Sequence, residues 1–260
     1  MIFWKKIQQA FSDASLQYEV LTNLHKEIGR ELLEKVRPLE SATAILDIGM
    51  GTGWLTHRLA QAFPQSRVVG LDFASGMIQF AQKHREGFGM IQADACRLPF
   101  KKDVFDVILS NLTYQWIRDL PSGFRQCHGA LKNAGIFRAT MFGYHTLQEL
   151  FQALEKTAEK SQIRTSLSTG RLAQEKQITE ALQQAGFHQI AVTSERIKAR
   201  FPDMMHLLKW TKEIGANTLK RNIFIGRELL GRMNDYYDQN YRDQFGVYAT
   251  FEVVWVMGRK

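Results

Sequence analysis

Residues Ile45–Trp54 read ILDIGMGTGW: an apolar run with an acid at Asp47, then glycine at alternate positions, Gly49, Gly51 and Gly53. The surrounding TAILDIG reads as a buried strand, and TGWLTHRLAQAF behind it as a helix that stops near Pro64. Between them the glycines permit positive φ and let the backbone come close to whatever lies there. The alternation continues downstream. SRVVGLDF is a second strand, GMIQFAQKHR a second helix, GMIQAD a short third strand and FDVILSNL a fourth. LPSGFRQCHGALKNAG reads as a helix ended by the Asn133-Ala134-Gly135 turn, and IFRATMF as the fifth strand. Such alternation implies an α/β fold with a mostly parallel sheet and helices on both faces.

Residues 3–38 upstream read as helical, with apolar positions at helical spacing in LHKEIGRELLEKV and Pro38 as the stop. Beyond the fifth strand, helices are expected near Thr146–Lys160 and Glu175–Ala185, the second ended by Gly186. The strand HQIAVTSERIKARF follows. A helical stretch, Asp203–Tyr241, interrupted around Gly215–Asn222, then leads to the last strand, YATFEVVWVMG. A strand that closes the chain after a long helical excursion is expected to enter the sheet antiparallel. The expected architecture is one domain over residues 1–260 with a seven-stranded sheet, N-terminal helices over 3–38 and an inserted helical cap over about 201–246.

The 260 residues are 45% hydrophobic and 23% charged, the balance of a soluble globular protein. No apolar run reaches the roughly 18 residues of a membrane span, and MIFWKKIQQAF is too short and too polar for a signal peptide. Cys96 and Cys127 lie far apart with no CxxC, which reads as reduced packing residues in a cytoplasmic protein, and no metal site is expected. The net charge of +8 is either a generic basic surface or the mark of an acidic partner. Residues 196–232 carry nine basic and three acidic side chains, six of the eight net charges in one segment.

In an open α/β sheet, ligands bind beyond the carboxyl ends of the strands. A dinucleotide loop needs G-x-G-x-x-G, and the place of its third glycine holds Trp54, so a pyrophosphate is disfavoured. No GK[ST] follows, which excludes a P-loop. Acids recur at three successive strand ends: Asp47, Asp72 and Asp94. Singly each reads as a turn residue or a helix cap. Together they frame a site, and an acid at Asp72 can accept two hydroxyls at once.

The D-x-G-x-G-x-G pattern resembles the first motif of the class I S-adenosylmethionine (SAM) methyltransferases, and LPFKKDVFDVILSN and LKNAG resemble later runs of that superfamily. The resemblance implies a Rossmann-like fold in which Gly49, Met50, Gly51 and Gly53 pass under the methionine part of SAM. It implies Asp47 near the amino group, Asp72 on the ribose hydroxyls, Asp94 and the Ala95 N–H on the adenine, and Asn111 and Leu112 beside the methionyl group. Phe73 and Met77 either pack on the adenine or belong to the core.

The run SNLTYQW after the fourth strand is similar to one family within that class, the malonyl-carrier-protein O-methyltransferases of biotin synthesis (BioC type). The likeness extends to AFSDASLQYEVLTNLHKEIGRELL, WIRDLPSGFRQCHGALKNAG, TLQELFQAL and LLKWTKEIGANTL. There are departures. Met50 stands where the family has cysteine, no arginine lies near Ser12–Ser15, and FGVYATFE replaces the usual Y-P-L-T-Y. The resemblance implies an acceptor that is the free carboxylate of a malonyl thioester on an acidic acyl carrier protein, which the basic 196–232 segment could dock. A carboxylate is ionised at neutral pH, so no general base is required, and no N-P-P-Y motif of adenine or amide methylation ends the fourth strand. Tyr18 either bonds the acceptor or SAM, or is a packed helix tyrosine. Gln115 and Trp116 are either site wall or a buried helix start. Arg125, Arg138 and Arg164 are candidates for the carboxylate. Two rival readings are a methyltransferase for another small acceptor and a noncatalytic SAM-fold protein that binds RNA. The second lacks the interleaved aromatic and basic residues of single-strand binding, so nucleic acid is not expected.

Overall fold

The computed structural model describes residues 2–36, 42–159, 172–214 and 226–260. Strands β1 (Ala44–Ile48), β2 (Arg67–Asp72), β3 (Gly89–Gln92), β4 (Phe105–Asn111), β5 (Leu131–Phe142), β6 (His188–Phe201), β7 (Arg242–Asp243) and β8 (Gly246–Arg259) form one sheet. Its order is β3-β2-β1-β4-β5-β8-β6, with the two-residue β7 paired to β8 off that path. Strand β1 is buried at all five positions, as a central parallel strand must be when helices cover both faces. It pairs in parallel with β2 and β4. Strand β8 enters antiparallel between β5 and β6, as its position at the chain end predicts.

Helices α1 (Ile2–Leu21) and α2 (Asn23–Val36) precede the sheet. Thr22 separates them, its hydroxyl and its N–H both donating to the Tyr18 carbonyl. The crossovers are α3 (Trp54–Ala62), α4 (Ser75–His84) and α5 (Leu120–Ala130). Then come α6 (Gln148–Glu159), α7 (Glu175–Gln184), α8 (Met204–Glu213) and α9 (Arg227–Asn240). The expected stop at Pro38, the break at Gly215–Asn222 and Arg164 lie outside the described residues.

The sheet has eight strands where seven were expected, because the two-residue β7 turns back onto β8, and two boundaries differ from the reading of the sequence: β3 stops at Gln92, short of Asp94, and the end of α5 moves. Helix α5 ends at Ala130, and Leu131 already opens β5, paired with Phe105. Asn133-Ala134-Gly135 is an irregularity within the strand, with Ala134 at φ 62°. The chain end fixes it: Ala134 N–H donates to the Lys260 carbonyl and Lys260 N–H to that of Gly135, both at 3.0 Å. That pairing is long-range, so a local pattern cannot show it.

The sheet separates its apolar contacts by face. Alternate residues of β1, β4, β5 and β8 pack on α5 and α7 through Phe124, Cys127, Ile178 and Leu182. The opposite residues of β1, β2 and β4 pack on α2 and α3 through Leu32, Leu33, Leu55 and Leu59. On β8, Val247, Ala249, Phe251 and Val253 meet α6, α8 and α9, with Leu207, Leu229, Met233 and Tyr237 in the same cluster. Among the described residues, no helix is long and apolar enough to cross a membrane.

Candidate active site

The loop after β1 turns three times through left-handed backbone, with φ 76° at Gly49, 54° at Gly51 and 76° at Gly53. Only glycine takes that conformation without strain. At Gly49 a side chain would also collide with Thr113. The Gly49 and Met50 N–H groups bond the Leu71 carbonyl at 2.7 and 3.0 Å, which ties the loop to the end of β2. The Met50 side chain points away from the loop, into a small core with Ile78 and Ala81.

Asp47 is buried, and its Oδ2 accepts the Thr56 hydroxyl at 2.6 Å, while Oδ1 has no partner among the described residues. Burial pushes its carboxyl up to about 7, against the Thr56 hydrogen bond and with Asp72 adding to the rise. Asp72 accepts the Gly51 N–H at 2.9 Å and the Ala74 N–H at 2.8 Å, one on each oxygen. Burial raises it to about 6, while the N–H groups of Ala74, Gly51 and Phe73 oppose the rise. Each carboxylate oxygen keeps a further lone pair, so Asp72 is oriented without being used up.

Helices α1 and α2 roof this loop. Tyr18 stands over Gly51, and its hydroxyl is held above its ordinary range by burial and then by the Asp72 charge. Glu19 fixes α1 in place, accepting from the Thr52 hydroxyl at 2.6 Å and pairing with Arg85 at 2.8 Å and Lys26 at 3.0 Å. Burial raises the Glu19 carboxyl, but hydrogen bonds from Thr52, Lys26 and Arg85 prevail and hold it below the usual range. Further along, the Gln8 amide donates to the Phe73 carbonyl at 2.6 Å. Between roof and loop lies a cavity of about 50 Å³ lined by Tyr18, His25, Asp47, Gly49, Met50, Gly51 and Asn111, among others. Asn111 is held from both sides: its Nδ2 donates to the His25 carbonyl at 3.0 Å and its Oδ1 accepts the Thr140 hydroxyl at 2.7 Å.

A second, apolar cavity of about 270 Å³ lies beside the first. Gln115 and Trp116 line it from the 3-10 turn Tyr114–Trp116, with Phe142 from β5, Phe251 from β8, and Leu208, Trp210, Lys212 and Ile214 from the α8 region. Gln115 donates to the Leu112 carbonyl at 2.7 Å and leaves Oε1 buried with no partner among the described residues. Trp116 stands edge-on to Phe11 at 5.3 Å. Leu112 sits at φ 53°, an uncommon backbone for leucine, and turns its side chain into the core beside Ile28 and Phe142. The rings of Trp210 and Phe142 line this cavity and pack on His25, which lines the first.

The remaining candidates spread outward. Phe73 is half-buried and edge-on to Phe11, and Met77 is buried. Strand β3 ends at Gln92, so Asp94 lies two residues past it, exposed, with Oδ1 accepting the Cys96 N–H at 2.8 Å beside a buried Ala95. Arg125 is exposed on α5. Arg138 lines a different cavity of about 350 Å³ with Lys35 and Trp255, so neither arginine reaches the apolar cavity. The basic segment divides: Arg196, Lys198 and Arg200 project at alternate positions from edge strand β6, while Lys209 and Lys212 lie on α8. Thr56, Glu19, His25, Trp210 and Lys212 are site residues that sequence reasoning did not single out.

A family profile described as "Methyltransferase domain" matches residues 39–195. The chain belongs to the SAM-dependent methyltransferases. A malonyl-[acyl-carrier protein] O-methyltransferase of Gallionella capsiferriformans is 31% identical, covering 96% of this chain and 89% of the relative. One of Geobacter sulfurreducens is 30% identical over the whole of both chains. The chain belongs to the malonyl-[acyl-carrier protein] O-methyltransferase family. The YcgJ protein of Bacillus subtilis shares the fold, with a TM-score of 0.59 at 16% identity over 89% of this chain and 98% of that one.

Proposed function

We propose that this protein transfers the methyl group of SAM to the free carboxylate of a malonyl group carried on an acyl carrier protein. The observation that carries the reading is the pair of adjoining cavities. One is lined by the buried Asp47 and a left-handed glycine loop, the other is apolar, and the contacts of His25 with Phe142 and Trp210 link their linings. The unpartnered Oδ1 of Asp47 is an acceptor in want of a donor, and the ammonium of SAM would supply one. Asp72 would take the ribose hydroxyls, Gly49, Met50, Gly51 and Gly53 would lie under the methionine part, and Asn111 and Leu112 beside it. Phe73, Met77, Asp94 and Ala95 would form the adenine end. When bound, SAM supplies a sulfonium methyl that an ionised carboxylate oxygen can take without a base.

The chain's own residues orient the acceptor and exclude water. Tyr18 remains protonated and serves as a donor over the loop, not as a base. Gln115 and Trp116 wall the acceptor side. Residues about 201–246 act as a cap within a single 1–260 domain. An acidic carrier protein would approach Arg196, Lys198 and Arg200 on β6 and the cations of α8.

Labelled SAM offered with malonyl-carrier protein, or with free malonate and other small acids, tests the reading. Label on the carrier protein is expected. Label on the small acids alone would replace this reading with that of a small-molecule methyltransferase.

A further inference from the structure

His25 lines the first cavity, and its ring packs on two rings, Phe142 and Trp210, that line the second. It stands edge-on to Tyr18 at 5.9 Å and to Phe142 at 5.8 Å, and tilted on Trp210 at 6.4 Å. Its place is fixed from both sides. The backbone carbonyl of His25 receives Asn111 Nδ2 at 3.0 Å, and the Trp210 indole N–H donates to the Leu21 carbonyl at 2.8 Å, which pins α8 to the end of α1. Yet the ring itself is not satisfied. Nδ1 is buried with no hydrogen-bond partner among the described residues. A buried polar atom left in that state costs free energy unless something else meets it.

The apolar cavity has one cation in its lining, the exposed Lys212, beside Thr146 and Thr211; Gln115 commits one amide N–H to the Leu112 carbonyl, and the two described candidate arginines lie elsewhere. We propose that His25 binds the acceptor carboxylate, donating an imidazole N–H to one of its oxygens at the junction of the two cavities. The inference rests on the carboxylate reading above. Burial lowers the His25 ring to about 4, so at neutral pH it offers one N–H and one bare nitrogen. The titratable and charged groups around it are Tyr18 from α1, Asp47 from β1, Lys26 on its own helix and Lys212 from α8. A neutral donor suits the chemistry. It orients the carboxylate without pairing its charge, whereas a full ion pair would stabilise the ground state and blunt the nucleophile.

The test compares wild type, His25→Phe and His25→Gln for melting temperature, SAM affinity by calorimetry, and kcat and KM for malonyl-carrier protein at saturating SAM from pH 6 to 8.5. His25→Phe keeps an aromatic wall and should lose ten- to a hundredfold in kcat/KM, with SAM affinity within threefold of wild type. His25→Gln restores an N–H and should recover a large part of the loss. The wild-type rate should show no ionisation that vanishes in His25→Gln. Wild-type turnover by His25→Phe overturns the role, and so does a folded His25→Gln as slow as His25→Phe. An ionisation lost in His25→Gln makes the ring a base instead and also overturns it. A wild type inert toward malonyl-carrier protein overturns the carboxylate reading itself, and this role with it.

Discussion

Asp47 and Asp72 are buried acids only a loop apart, and burial raises both, to about 7 and about 6. A raised carboxyl binds a proton in the native state that the unfolded chain has already released. Stability of the ligand-free protein should therefore fall as pH rises from about 4 through 7, the opposite of the usual salt-bridged carboxylate. A ligand ammonium prefers the ionised Asp47, so SAM affinity should rise over the same window. With one group near 7, about an eightfold gain is expected between pH 6 and 7.5, measured by calorimetry; a flat profile would remove Asp47 from the site. Asp72→Ala should abolish measurable SAM binding while the protein stays folded. It removes two charge-assisted hydrogen bonds of about 1.5–3 kcal/mol each to the ligand, and frees the Gly51 N–H as well. Unchanged affinity would contradict the assignment. These acids are visible in the sequence because each ends, or nearly ends, a strand whose apolar pattern is local. His25 is not, because its neighbours Phe142 and Trp210 come from 117 and 185 residues further on.

At the scale of elements, α1 is the part of the site that must yield. The cavity of about 50 Å³ beneath α1 is far below the roughly 300 Å³ at which small-molecule pockets begin, so α1 is expected to shift when SAM enters. Among the contacts that hold it are Glu19 with Thr52, Arg85 and Lys26; Gln8 with the Phe73 carbonyl; and the close pass of Ser12 over Gly76, where any side chain would strike the Ser12 backbone. Glu19→Gln should weaken the first. Amide exchange in α1 should quicken severalfold and SAM should dissociate faster, with protection in β1 and β4 unchanged. Loss of protection throughout the sheet would mean that Glu19 holds the whole fold. The helical periodicity of residues 3–38 is plain in the sequence, but which strand ends the helices would cover is not, since that depends on contacts such as Gln8 to Phe73, 65 residues apart.

Across the whole molecule, charge acts over distances that contacts do not. Arg196 and Lys198 project from the solvent side of an edge strand, and Lys198 lies over the Tyr248 ring at 4.2 Å. Reversing both to glutamate should raise KM for malonyl-carrier protein about fivefold with kcat unchanged, and the difference should vanish near 0.5 M salt as screening shortens the reach of the charges. An unchanged KM would place the docking surface elsewhere. The sequence by itself determined the order of strands and helices, the glycine loop with its three left-handed turns, and the acids beside it. All of these follow from short-range rules of periodicity, sterics and turn chemistry. Only the tertiary structure decided which side chains meet. The apolar cavity takes its walls from the 3-10 turn after β4, from β5, α6 and β8, and from the α8 region. Sheet register sends Arg138 to another cavity, and the His25 ring joins the two parts of the site. Those outcomes depend on which face each residue shows after the strands have paired, and that is settled by packing between distant segments.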